Sequence, residues 1–94
     1  MTLYHATPAD NVPGILARGL RPDCSGFGAG TARVHLSDTP ERFVDFVRVL
    51  YGIRDVAVFA VETEGLRLEP GDDDVEYEFA VSEPIPPTRL RLLP

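Results

Sequence analysis

Three side chains have the right type for chemistry, His5, His35 and Glu78, and they lie on three separate stretches of the chain. Two imidazoles and a carboxylate suit a metal site, a general acid/base site, or three unrelated polar residues on outward strand faces. Their spacing matches no helical or knuckle zinc pattern, so no metal is expected. The triplet Asp72, Asp73 and Asp74 follows Pro70-Gly71 and reads as solvated turn chemistry rather than a cation site. Cys24 is the one cysteine. It has no partner for an internal disulfide and no ligand neighbour at zinc spacing, which fits a reducing cytosol.

For these groups to meet, the elements that carry them must converge. Residues 3–5 read as a short strand ending at the turn chemistry of Thr7-Pro8. Val12, Ile15, Leu16 and Leu20 repeat at helical spacing, with Asp10 as N-cap, Pro13 in the first turn and Gly19 as the stop. Residues 22–31 form a loop with Gly26, Gly28, Ala29 and Gly30, suited to a sharp turn or a close approach to a ligand. Residues 33–37 alternate, with Val34 and Leu36 facing the core and Arg33, His35 and Ser37 on the other side. Asp38 or Thr39 is expected to cap a second helix with Pro40 near its start, an apolar stripe of Phe43, Phe46, Val47 and Leu50, and Gly52 as its end.

Residues 56–61 are continuously apolar, the pattern of a central strand covered on both faces. A turn at Pro70-Gly71 precedes an alternating strand over 75–81. Val75, Tyr77, Phe79 and Val81 share its apolar face, and Glu76, Glu78 and Ala80 the other. Ile85-Pro86-Pro87 is a rigid turn into a last strand over 89–93, with Leu90 and Leu92 inward. This order of elements predicts one α+β domain over residues 1–94, a mostly antiparallel or mixed sheet with two helices packed on it.

Composition narrows the function classes. Fifteen acidic against nine basic residues give a net charge of -6, which disfavours electrostatic capture of a nucleic-acid backbone by the chain as a whole. The 44% hydrophobic content is spread from end to end, as in one globular core. The longest apolar run is far too short for a membrane span, and the N-terminus lacks a signal core. A soluble, cytoplasmic protein is expected.

The segments Leu3-Tyr4-His5-Ala6-Thr7, Ile15-Leu16 and Gly19-Leu20 resemble the opening strand and short helix of the ADP-ribosyltransferase superfamily. Val34-His35-Leu36-Ser37 resembles its second motif strand, and Glu78-Phe79-Ala80-Val81 with Ile85-Pro86-Pro87 resembles its glutamate strand and exit turn. The matches come in the family's order and span the chain from Leu3 to about Leu90. The resemblance implies a compact split β-sheet core with two helices and NAD as a substrate whose nicotinamide bond is broken.

A histidine, histidine and glutamate triad would follow. Glu78 would hold the ribose 2'-hydroxyl and stabilise the oxocarbenium-like sugar, a role that asks for fixed negative charge rather than a strong nucleophile. His5 would take the adjoining ribose hydroxyl, and the backbone N–H and C=O of Ala6 would clamp the nicotinamide carboxamide. Thr7 would belong to the same NAD-binding set. His35 stands where many relatives stack a tyrosine on nicotinamide and where RNA 2'-phosphotransferases of the superfamily have a histidine. Ala6 departs from the family's glycine and adds a methyl beside the clamp. Arg33 is either a pyrophosphate contact or a solvated arginine. Glu76, in Glu76-Tyr77-Glu78, is either an exposed carboxylate or an acceptor-orienting group.

The acceptor, protein or nucleic acid, is not encoded in these motifs. Two alternatives accompany this expectation. One is an RNA 2'-phosphotransferase-like enzyme, which the acidic chain and the absence of a phosphate-binding arginine set count against. The other is a binding or regulatory module that keeps the fold without turnover.

Overall fold

The computed structural model describes residues 1–22, 33–52, 55–71 and 77–94. The loop glycines, Cys24, the Asp72–Asp74 triplet and Glu76 lie outside these, as do the side chains of Phe46 and Leu50. The chain runs β1 (Thr2–Pro8), a 3-10 turn (Ala9–Asn11), α1 (Val12–Arg18), β2 (Val34–Ser37) and α2 (Val44–Tyr51). It continues through β3 (Val56–Glu62), β4 (Glu69–Pro70), β5 (Glu78–Val81), a second 3-10 turn (Pro87–Arg89) and β6 (Leu90–Leu92). The strands form one sheet in the order β4-β5-β2-β1-β3-β6, every pair antiparallel. With α1 and α2 packed on it, this is the expected α+β class.

The longest ladder joins β1 to β3 over seven pairs, from Thr2↔Glu62 to Pro8↔Val56. Just beyond its ends, Ala9 N–H donates to Asp55 and Thr63 N–H to Met1. In an antiparallel ladder bonded pairs alternate. Odd-numbered β1 residues therefore bond β3, and even-numbered ones turn their N–H and C=O toward β2. Pro8 falls on a non-bonding position, where its missing N–H costs no ladder bond. That is why the strand runs past the Thr7-Pro8 turn signal expected to end it.

Register also sorts the side chains. Leu3, Phe59, Val61, Val34, Leu36 and Val81 share a face with Ile15, Leu20 and Ile85 and make the core. Fully burying one such side chain stabilises by about 1.5–3 kcal/mol. α2 packs against β1 and β3 and carries the fully buried Val47.

Several local expectations give way to tertiary contacts. α2 begins at Val44 rather than after Asp38, because the Asp38 N–H still bonds Tyr77 C=O as sheet and its carboxylate pairs with Arg42 at 3.2 Å. Asp10 sits in the 3-10 turn and caps nothing; Asn11 is the cap residue of α1 and makes no side-chain cap bond. Leu16 is 52% exposed, since only the Ile15 side of so short a helix reaches the sheet. β3 is second from the edge, not central, because β6 closes that side, and Leu92 on the edge strand is exposed. Tyr77 leaves the apolar row of Phe79 and Val81: its ring lies under the Arg42 guanidinium, 4.0 Å away, and beside Phe43. β4 is an element where only a turn was expected. Among the described residues, no helix is long and apolar enough to cross a membrane.

Candidate active site

The sheet is nearly divided at its middle. β1 and β2 are joined by one pair, Tyr4↔Ser37. In register the next bonded pair would be Ala6 with His35, and it does not form. Instead the imidazole of His5 takes the His35 carbonyl, with Nδ1 to O at 2.9 Å. The ladder parity turns the N–H and C=O of Ala6 into this opening.

A carbonyl only accepts, so Nδ1 of His5 carries the proton and Nε2 has the character of an acceptor. His5 is 4% exposed. Burial pushes its pKa below the usual histidine value, against the opposing pull of its bond to the His35 carbonyl, and the nearby His35 adds to the lowering. The ring is therefore neutral at neutral pH. Because the folded pKa lies under the unfolded one, the unfolded chain binds the proton first as pH falls. The stability tied to a neutral His5 is complete above about pH 6.5 and is lost as pH drops toward the folded pKa. The free energy of urea unfolding of the wild type should hold from pH 8 to 7 and then fall as pH drops below about 6.5, by up to about 1.4 kcal/mol per pH unit. His5→Asn, which retains a donor near the Nδ1 position, should flatten that window; an unchanged slope would show that His5 does not control it.

Glu78 and His35 meet on the neighbouring strands. Ser37 is directly opposite Glu78 and His35 opposite Ala80, so Glu78, His35 and Ser37 share one face. His35 Nδ1 is 3.5 Å from Glu78 Oε1, and Glu78 is 6% exposed. The polar side of the alternating pattern is thus buried here rather than solvated. His5, by register, stands on the other face with Leu3 and Phe59. It reaches the His35 strand only through the opening between β1 and β2. The His5 ring and the His35–Glu78 pair thus lie on opposite faces of the sheet, linked by the His5 bond to the His35 carbonyl.

On the His5 side lies a cavity of about 430 Å³ lined by His5, Thr7, Asp10, Asn11, Arg18 and Arg21, among others. That volume falls in the range of small-molecule sites. Thr7 Oγ1 accepts from Asn11 Nδ2 at 3.0 Å, which ties the end of β1 to the start of α1. Asn11, Arg18 and Arg21 belong to no motif and Asp10 reads only as a helix cap; the one hint in the sequence is that the two arginines flank the Gly19-Leu20 stop of α1.

Arg33 is engaged elsewhere: its Nη1 donates to Glu69 Oε1 at 3.2 Å and to the Pro70 carbonyl at 3.1 Å. Among the described residues, no group of three His, Cys, Asp or Glu is placed to hold a metal ion. Compared with known proteins, the chain matches no family model and no curated sequence.

Proposed function

We propose that this chain is an ADP-ribosyltransferase-type enzyme that takes NAD as substrate, breaks its nicotinamide glycosidic bond and passes ADP-ribose to an acceptor. The observation that supports the reading is the parting of β1 and β2 after one pair, where the His5 ring bonds the His35 carbonyl and the His35 ring lies beside Glu78 on the neighbouring strand. Each offers what a pyridinium riboside needs. The Ala6 N–H and C=O are a donor and an acceptor one residue apart, complementary to a carboxamide. The neutral His5 presents Nε2 as an acceptor for a ribose hydroxyl.

The Glu78 carboxylate accepts from the 2'-hydroxyl and supplies negative charge as the glycosidic bond breaks. Away from water that charge acts more strongly on the developing cation. His35, against Glu78, offers an imidazole face to the departing ring. The cavity beyond His5 provides two guanidiniums, Arg18 and Arg21, for the diphosphate. A cytoplasmic, single-domain enzyme belongs to the same reading. The acceptor is a protein, a nucleic acid or water, and the orienting role of Glu76 concerns a residue outside those described.

The test is nicotinamide release from NAD by the pure protein, with cell lysate as acceptor source. Release that continues within twofold in the presence of a chelator is the expected result, since the charges are supplied by side chains. No release under any acceptor condition overturns the reading, and calorimetric NAD binding without release would make the domain a binding module.

A further inference from the structure

β4 is a two-residue edge strand, too short to be held by its ladder alone. Side chains hold it instead. The Glu69 carboxylate accepts from Ser82 Oγ at 2.9 and 3.2 Å and from Arg33 Nη1 at 3.2 Å, and that same Nη1 reaches Pro70 C=O at 3.1 Å. Ser82 follows β5 and Arg33 precedes β2. The clamp therefore ties β4 to the two strands that carry Glu78 and His35. The Ser82 hydroxyl, and then the Arg33 guanidinium, hold the Glu69 carboxyl below the usual carboxylate range, so it stays ionised for this task.

Immediately after β4, Gly71 N–H donates to the Glu78 carbonyl at 3.2 Å. Its Cα lies so close to the Glu78 side chain that a Cβ there would overlap Cγ, Cδ and Oε1. Gly71 is not among the glycines of positive φ, which are Gly19, Gly52 and Gly65. The absent side chain is therefore required by space and not by backbone conformation. A glutamate has three rotatable side-chain bonds, and a backbone wall on one side removes many of its rotamers.

We infer that Gly71, held by the Glu69, Arg33 and Ser82 clamp, is a positioning residue whose backbone packs on the Glu78 side chain and sets its carboxylate beside His35. The catalytic consequence rests on the proposed role of Glu78; the geometry does not. Displacing a reacting group by about 1 Å costs on the order of 100-fold in rate. Gly71→Ala should thus lower kcat for nicotinamide release by about 10- to 100-fold with KM unchanged within threefold.

Two readouts are independent of activity. The ring nitrogen resonances of His35 should move in Gly71→Ala toward their positions in Glu78→Gln. The added methyl should lower the melting temperature of the wild type but leave that of the Glu78→Ala chain unaltered, because the overlapping atoms are gone. Should Gly71→Ala fail to fold, Glu69→Gln loosens the clamp without adding an atom beside Glu78, and the same movement of the His35 resonances is expected. Wild-type His35 resonances in the folded variant, or an equal melting shift in both backgrounds, overturn the inference. A wild type that releases no nicotinamide defeats the functional reading alone, since the resonances and the melting cycle still decide the positioning.

Discussion

Glu78→Gln should lower kcat/KM for nicotinamide release by about 100- to 1,000-fold, or roughly 2.7–4 kcal/mol of transition-state stabilisation, the scale seen when one preorganised electrostatic group is removed. The substitution retains volume and shape, so the packing of Gly71 and the neighbouring His35 are preserved. What disappears is the charge. Glu78 is almost wholly buried, so its charge is poorly screened, and in the proposed reaction it would act at close range on the sugar as it becomes cationic. The amide still accepts from a hydroxyl, so substrate affinity should change less than turnover. Steady-state release assays, with a thermal melt to show that the fold persists, make the measurement. Activity within tenfold of wild type would remove Glu78 from the chemistry.

The largest loss of stability from one added methyl is expected at Gly19. Its φ of 82° and ψ of -169° belong to a region that side-chain-bearing residues avoid. A Cβ would also collide with the Ile85 carbonyl oxygen, which is fixed backbone. That carbonyl is one half of a reciprocal bridge: Leu20 N–H donates to Ile85 O at 2.9 Å and Ile85 N–H to Leu20 O at 2.8 Å. Both side chains are buried in the core, so the bridge pins the end of α1 to the exit turn before β6. Gly19→Ala must either break this pairing or strain the backbone, at about 3 kcal/mol or more. Gly52→Ala is the natural comparison. Its φ is 62°, but a Cβ there meets nothing within 4 Å, so only the left-handed cost of about 1–2 kcal/mol applies. Urea denaturation of the two variants separates the effects, and equal losses would contradict the Leu20–Ile85 bridge.

Gly19 and Gly52 were both legible as helix stops, because a glycine of positive φ after a helical repeat is a local rule. So were the apolar side of β2 and the Phe79 and Val81 side of β5, since alternation reports which residues share a face. Alternation reports a face but not what covers it. By pattern alone His35 and Glu78 are polar residues on an outward strand side; in the fold that side is buried and the two meet at 3.5 Å. Their selection came from the order of motifs, not from periodicity. Tyr77 shows the converse failure: the alternating row assigned it to the core, and the first turn before α2 drew it under Arg42.

Local chemistry in the chain was therefore enough to set the class of the fold and the glycine stops of both helices. Folding alone decided that β1 and β2 part after a single pair, that His5 bridges the gap, that Glu69 staples a two-residue strand, and that Arg18 and Arg21 reach the cavity. Each of the first three joins residues 13 to 36 positions apart. A window of periodicity spans one element and reports how it faces its neighbours. Where two strands cease to pair is settled by the summed packing of the whole sheet, and no single segment encodes it.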